Sequence, residues 1–305
     1  MGTTMPLVSI GLPVYNGENY LAQALNAILA QDFEDFEVII SDNGSIDGTQ
    51  DIALSYSQKD KRIRYIRLTE NKGAAFNYNN TFNLSTGHYF KWAAHDDIIT
   101  PTFLRRCVEE FERLEREGYR PSIVYTKSDV IDEEGRVLQP DPNHMNLLSP
   151  VPAWRVLSAV QRMGLAAPVF GLMRRDMMER TRLVGRYIGS DYVFILEAAM
   201  IERIVQLDDV LFQRRIHAAG SRVANKRRRD LMAWFDPKAK SVLSERQRMT
   251  LEYYRSVFVV PDLSVLTRAT CLIALTAALS VWWFRRFRVF VGRKRRTLFQ
   301  SFGQA

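Results

Sequence analysis

The stretch His88-Tyr-Phe-Lys-Trp-Ala-Ala-His-Asp-Asp97 reads as a buried strand, His88 to Ala93, running into two adjacent carboxylates. Like charges side by side at the end of a buried strand raise each other's free energy unless a cation joins them. Carboxylate oxygens are hard ligands that suit Mg2+ or Mn2+, and those ions often carry substrate phosphates. Asp96 and Asp97 therefore point first to a metal-bound diphosphate. A helix dipole would also favour acids here, but Thr100-Pro101 already supplies the cap and first-turn proline of the next helix.

Outward from this stretch the chain alternates. Leu7 to Leu12, Phe36 to Ile40 and Ile63 to Arg67 are short apolar runs. Helical spacing fills the gaps at Tyr20 to Leu29, Asp51 to Tyr56 and Ala74 to Leu84, and resumes from Pro101 to Leu114 before a fifth strand at Ser122 to Tyr125. This order predicts an α/β fold, a mostly parallel sheet flanked by helices, with ligands at the carboxyl ends of the strands. Beyond it, Val130 to Leu138 reads as a hairpin turning at Gly135, and Asp141 to Pro152 as a loop. A helix over Trp154 to Met163, a strand over Val169 to Met173, a helix over Asp191 to Met200 and a strand over Asp209 to Ile216 follow. Lys226-Arg-Arg-Arg229 opens a helical C-terminal extension.

With 305 residues and 47% hydrophobic content the chain has ample material for a core. Cys107 and Cys271 lie far apart without metal-ligand spacing, which fits a reduced compartment. The first residues carry neither a signal-peptide pattern nor a myristoylation motif. The net charge of +8 is concentrated at one end: Leu263 to Ala305 holds eight Lys and Arg and no acid. Such a tail attracts anionic surfaces, membrane or nucleic acid. Ala269 to Phe284 is 16 residues without a charge, short of the roughly 20 that span a bilayer as a helix. Trp282 and Trp283 beside Arg285, Arg286 and Arg288 suit a headgroup boundary. The competing reading is an apolar helix packed on the body. Lipid is the better partner for this tail than nucleic acid, and places the protein in the cytoplasm at the inner face of the cell membrane.

The Gly-x-x-x-x-Gly-Lys-Ser/Thr loop and the Gly-x-Gly-x-x-Gly turn are both missing. Instead, four segments stand in order at the ends of successive strands. They are Pro13-Val-Tyr-Asn16, Ser41-Asp-Asn-Gly-Ser-Ile-Asp-Gly-Thr49, Asn71-Lys-Gly73 with Asn77 and Asn80, and His95-Asp-Asp97. This set, over about residues 5 to 220, resembles the family 2 glycosyltransferases with a GT-A fold. The resemblance implies transfer of a sugar from a nucleotide-diphosphate-sugar, usually with inversion and with Mg2+ or Mn2+. It also implies a catalytic domain over 1–222, with a nucleotide-sugar half to about residue 100 and an acceptor half over about 101–222; the helical basic region over 223–305 lies beyond it.

The resemblance assigns roles residue by residue. Pro13 and Tyr15 fall where the family contacts base and ribose, while Asn16 reads as a helix N-cap. Asp42 and Asn43 fall at the nucleobase; the family often has Asp-Asp there, so Asn43 is a departure. Asp47 reads as structural, in a capping box with Gln50. Lys72 and Gly73 at a helix N-terminus suit a diphosphate, or else form a solvated turn. Asp97 corresponds to the direct metal ligand, and Asp96 to a sugar or ribose contact. Tyr187-Ile-Gly-Ser-Asp-Tyr-Val-Phe194 resembles the family's acidic motif, usually Glu-Asp, with Ser190 in place of the Glu. Asp191 is then the general base that takes the acceptor hydroxyl's proton, or alternatively a helix cap. Gln213 to Ser221 resembles an Arg-x-His segment. There His217 would complete the metal sphere or touch the diphosphate, and Arg214 or Arg215 would neutralise phosphate.

The resulting expectation is an inverting, metal-dependent glycosyltransferase acting on a glycan or lipid-linked acceptor in cell-envelope or surface polysaccharide synthesis. A nucleotidyltransferase would need a Gly-rich, Lys-containing signature after the first strand, where Pro13-Val-Tyr-Asn16 stands. A nucleotide-sugar or glycan-binding module without turnover is the non-enzymatic alternative.

Overall fold

The computed structural model describes residues 5–142, 144–164, 166–218, 220, 227–238 and 243–281. The first three strands, β1 (Val8–Val14), β2 (Phe36–Asp42) and β3 (Ile63–Arg67), are joined by α1 (Leu21–Leu29) and α2 (Thr49–Lys59). Helix α3 (Ala74–Leu84) leads into β4 (Tyr89–Trp92), and the two-residue β5 (Ile98–Ile99) precedes α4 (Phe103–Arg116). Strands β1 to β4 pair in parallel in the order β3-β2-β1-β4. Parallel neighbours need crossover helices, which α1, α2 and α3 provide.

The second half is mixed. Strand β6 (Ile123–Ile131) forms the expected hairpin with β7 (Val137–Pro140), and Gly135 turns with φ 86°. Helix α5 (Pro152–Arg162) follows, then a 3-10 turn, β8 (Leu172–Arg174), the short α6 (Arg175–Met178), α7 (Ser190–Ile201) and β9 (Ile204–Arg215). The sheet continues β4-β8-β6-β9-β5, with β8 antiparallel to both neighbours and β9 parallel to β6. The strand expected over Val169 to Met173 is split. Ala167–Phe170 forms a 3-10 turn, because Pro168 has no N–H for a ladder and suits a first helical turn.

Alternation along β4 shows how the sheet divides the core. Phe90 and Trp92 face the cluster built by α3, α5 and α7, while Tyr89 and Ala93 face the cluster containing Phe103, Cys107 and Phe111 of α4. Lys91 lies on the α4 side, fully buried where the pattern wants an apolar residue. Its Nζ donates to the Phe170 carbonyl and sits 4.4 Å from the Phe103 ring centroid.

Among the described residues three C-terminal helices follow: α8 (Arg228–Phe235), α9 (Glu245–Val259) and α10, described over 265–281. Tyr253, Val257, Val260, Cys271 and Leu275 enter the same cluster as α7, so α9 and α10 pack on the body. An ionic knot reinforces this seam. Arg182 Nε donates to Glu197 Oε1 at 2.6 Å, Nη2 donates to Ser256 Oγ at 2.7 Å, and Nη1 pairs with Glu252. Both glutamates are buried. The expected division at residue 222 and the motif's Lys226 lie outside the described residues, as do Trp282, Trp283, Arg285, Arg286 and Arg288. Among the described residues no helix is long and apolar enough to cross a membrane.

Candidate active site

The carboxyl ends of β1, β2, β3 and β4 converge on one edge of the sheet, where polar side chains lace the loops together. Asn16 does not cap α1, which begins five residues later; it takes φ 51° and bridges the first two loops. Its N–H donates to Ser45 Oγ at 2.9 Å and its Oδ1 accepts from Ile46 N at 3.0 Å. Gly17 N donates to Thr49 Oγ1 at 2.8 Å, and Glu18 N donates to Asp47 Oδ2 at 3.1 Å. Asp47 is structural, but through Thr49 and Glu18; α2 carries no side-chain cap. Much of the Ser41 to Thr49 motif is thus a lacing device.

Asp42 and Asn43, expected at the nucleobase, are buried and already engaged. Asp42 Oδ1 accepts from Ser45 N at 2.8 Å and Oδ2 from the Tyr65 hydroxyl at 2.7 Å, with Arg67 Nε 3.4 Å away. Asn43 Nδ2 donates to Asn71 Oδ1 at 2.9 Å, and its Oδ1 accepts from Lys72 N at 2.9 Å. In this conformation both shape the loops instead of facing open space. Asn77 completes the floor, donating from Nδ2 to the Val14 and Ser41 carbonyls and accepting from Ser41 Oγ. Pro13 is buried in β1 opposite Ser41, whereas Tyr15 is 40% exposed.

Lys72 is exposed, with its ammonium 5.0 Å from the Phe76 ring centroid. Gly73 is the N-cap of α3 at φ 86°. A Cβ there would lie 2.5 Å from the Phe235 carbonyl and 2.9 Å from Asp236 Cα. Only glycine fits both the backbone angle and the close approach of the chain after α8.

The two carboxylates after β4 have unlike surroundings. Asp96 Oδ2 lies 2.9 Å from His217 Nε2. Burial works to raise the Asp96 carboxyl, but the His217 hydrogen bond and the nearby imidazoles hold it below its ordinary value. Asp97 Oδ1 accepts from Arg215 N at 3.0 Å. Burial, then the charge of Asp96, pushes Asp97 up to about 7. An under-compensated carboxylate of this kind is what a divalent cation would neutralise.

Among the described residues no three His, Cys, Asp or Glu side chains form a ready metal cage. Two hard carboxylates nevertheless fit Mg2+ or Mn2+, which take one or two protein carboxylates and fill the sphere with water and phosphate. His217 reaches the pair, but as the partner of Asp96 instead of a free ligand, its ring edge-on to Tyr20 at 4.7 Å. Arg215 also departs from expectation. Its guanidinium donates to the carbonyls of Asp96, Asp132 and Glu133 and to Gln23 Oε1, all within 2.8–2.9 Å. It fixes the carboxylate loop and commits four of its five N–H donors there. Arg214 differs: its Nη1 is 3.8 Å from Asp141 Oδ2, and its Nη2 is buried without a hydrogen-bond partner.

Asp191 lies in the first turn of α7, after Gly189 at φ 83° and the buried Ser190, whose hydroxyl is unpartnered. Tyr78 shows how the pieces relate. Burial, followed by the charges of Asp96, Asp97 and Asp191, raises its phenol. The two carboxylates after β4 and Asp191 of α7 therefore act in the same direction on one tyrosine of α3. Tyr78 escapes sequence reasoning because nothing in Phe76-Asn-Tyr-Asn-Asn80 marks it; only the tertiary crossing does.

Comparison with known proteins bears on the fold and the family. The family model "Glycosyl transferase family 2" matches residues 9–164. An uncharacterized glycosyltransferase of Rickettsia felis is 38% identical over 141 residues, 45% of this chain and 22% of that protein. Chondroitin synthase of Escherichia coli is 34% identical over 134 residues, 44% of this chain and 19% of its own length. The chain thus spans about a fifth of the length of either relative. Among solved structures, S. aureus TarS 1–349 in complex with UDP-GlcNAc superposes with a TM-score of 0.55 at 17% identity, covering 89% of this chain and 80% of that one. The mannosyltransferase PcManGT from Pyrobaculum calidifontis, in complex with GDP-Man and Mn2+, gives 0.52 at 17% identity, covering 94% and 81%. These superpositions establish a shared GT-A-like fold, and with the sequence match over β1 to α5 they show that this chain belongs to glycosyl transferase family 2.

Proposed function

We propose that the chain transfers a sugar, with inversion, from a nucleotide-diphosphate-sugar to a hydroxyl of a glycan or lipid-linked acceptor in cell-envelope or surface polysaccharide synthesis. The observation that carries this reading is the Asp96–Asp97 pair after β4, held by His217 Nε2 at 2.9 Å and Arg215 N at 3.0 Å. A cation-seeking pair at that end of a parallel sheet supports a metal-bound diphosphate, and Asp191 in the first turn of α7 supports a separate base. The nucleotide sugars bound by the TarS and PcManGT structures, and chondroitin synthase among the relatives, support the donor and product classes.

In this reading Pro13 and Tyr15 wall the base and ribose, over a floor that Asp42, Asn43 and Asn77 hold in shape. Lys72 and the α3 N-terminus at Gly73 meet the diphosphate. Asp97 is the protein's metal ligand, and Asp96, steadied by His217, orients the donor sugar. A bound Mg2+ or Mn2+ would supply positive charge to the departing diphosphate. Asp191 accepts the acceptor hydroxyl's proton as the oxygen attacks the anomeric carbon. The ring carries oxocarbenium character at that moment, as in other glycosyl chemistry. The reaction takes place at the inner face of the cell membrane.

A thermal-shift panel of nucleoside diphosphates and their sugars, with and without Mn2+, tests this reading. Stabilisation by one base class that requires metal is expected, since a ligand stabilises the state it binds. Asp97→Ala should abolish it. Asp191→Ala should keep donor stabilisation while transfer falls by about 10²–10⁴-fold. Full transfer by Asp191→Ala would remove the base assignment.

A further inference from the structure

Helix α10 has two apolar faces, and only one is covered. Cys271, Leu275 and Ala278 are fully buried against the body. On the other side Val265 is 85% exposed, Leu266 74% and Ile273 70%, with Ala269 and Ala277 also exposed. Leu266, Ala269, Ile273 and Ala277 follow the i, i+3, i+4 spacing of one helix face. The neighbouring end of α9 adds Phe258, 63% exposed, and Val259.

The polar residues that share this stripe's spacing, Thr270 and Ser280, are uncharged. Arg268 is the one charged residue in 265–281. Its guanidinium donates to the carbonyls of Val257, Val260 and Leu263, closing the end of α9. The Thr270 and Thr276 hydroxyls donate to the Leu266 and Leu272 carbonyls one turn back. The outer face is therefore left without charge. It runs directly into Trp282-Trp-Phe-Arg-Arg-Phe-Arg288, and from 282 to the end the sequence holds seven Lys and Arg and no acid.

We infer that the outer face of α10, with Phe258 and Val259, docks in the plane of an anionic lipid surface. An uncharged helix face meeting an aromatic and basic segment has the chemistry of an interfacial helix. A single helix face in oil, with basic side chains at the headgroups, also accounts for a stretch too short to span.

The same packing ties the lipid surface to the acceptor side of the site. A Cβ on Gly189, two residues before Asp191, would lie 2.7 Å from Met249 Sδ. Helix α9 therefore starts beside the proposed base and ends at the apolar patch. Nine residues separate Met249 from Phe258, about 14 Å of helix rise. One helix thus links the acceptor side of the site to the docking face, which suits a headgroup-linked acceptor. This last step, and only this step, rests on the proposed transfer reaction.

Co-sedimentation of the full chain with phosphatidylcholine vesicles, with and without phosphatidylglycerol, tests the docking face. Wild type should bind the anionic vesicles. Leu266→Ser with Ile273→Ser should weaken binding by about tenfold or more, as two large apolar side chains leave the lipid. Both positions face solvent, so the melting temperature should hold, and Phe258→Ser provides an independent second variant. Three outcomes would overturn the inference: no binding by wild type, equal binding by all variants, or a wild-type dimer that the substitutions dissociate. Vesicle binding needs no nucleotide sugar, so the docking face and the donor reading can fail separately.

Discussion

The donor edge of the sheet and the seam beneath the C-terminal helices are held in opposite ways. At the donor edge the work is shared by many neutral hydrogen bonds: Asn16 with Ser45 and Ile46, Gly17 with Thr49, Asn43 with Asn71 and Lys72, and Asn77 with two strand ends. Each contributes about 1 kcal/mol, and losing one leaves the others. At the seam one guanidinium, Arg182, serves two buried carboxylates. Distributed bonding suits loops that must admit and release a ligand, whereas a single ionic knot suits helices that must stay docked. Arg182→Met tests that contrast hardest. It takes the guanidinium from buried Glu197, leaves Glu252 with Arg248 at 2.8 Å, and should lower stability by about 3–5 kcal/mol. Urea unfolding measures the loss, and limited proteolysis should show α9 and α10 cut first. Adding Glu197→Gln and Glu252→Gln should recover much of it. A loss under about 1 kcal/mol, the worth of an exposed pair, would mean the knot is not what docks the helices.

Lys91 sharpens the comparison, because it is a buried cation with no carboxylate in contact. Its nearest partners are the Phe170 carbonyl and the rings of Phe103 and Phe212. Burial pushes its ammonium down from 10.5 to about 8. Between those values the unfolded chain still binds a proton that the folded chain has released. Stability from this group should therefore rise with pH across that window, by roughly 3 kcal/mol in all. Lys91→Met also leaves the Phe170 carbonyl without its donor, a cost that does not vary with pH. The difference in stability, wild type minus Lys91→Met, should grow from pH 8 to pH 10 in urea titrations. A constant difference would mean that Lys91 keeps its charge in the fold.

Asn77→Ala is the corresponding break at the donor edge. It leaves the Val14 and Ser41 carbonyls and the Ser41 hydroxyl short of a partner in a buried place. The expected cost is about 1–3 kcal/mol, smaller than at the seam because Asn43 and the β2 ladder still hold the same strand ends. Urea unfolding again provides the measure. A loss matching that of Arg182→Met would erase the distinction between the two regions.

What could be read from the chain follows the same division. The strands and crossover helices were legible because apolar periodicity is local, and β3 and α3 fall at the expected residues. The proposed site's motifs could be grouped because they end successive parallel strands. Several roles were not, because the deciding partner is remote in sequence. Arg215 reaches back to Asp96 across 119 residues, and that contact converts an expected phosphate ligand into a loop clamp. Asn16 reads as a cap until Ser45 and Ile46 arrive across the sheet edge. Lys91 interrupts an apolar strand, and its burial is visible only once α4 covers it.

The smallest effect is expected at Asn43, where the sequence departs from the family's usual Asp-Asp. In Asn43→Asp the acceptor for Lys72 N remains and gains charge, which strengthens it. The donor to Asn71 Oδ1 is lost, setting two acceptors 2.9 Å apart. Turning the Asn71 amide would restore a donor but deprive Gly73 N, which bonds the same oxygen. With a second carboxylate added beside buried Asp42, the exchange should cost about 1–2 kcal/mol, seen as a drop in the urea midpoint. The nucleotide panel then separates two roles. If Asn43 acts by holding the Asn71 to Gly73 loop, the variant should bind the same base class more weakly. A change in the preferred base would instead make Asn43 a direct reader of the nucleotide, and this edge of the sheet would be a recognition surface as well as a scaffold.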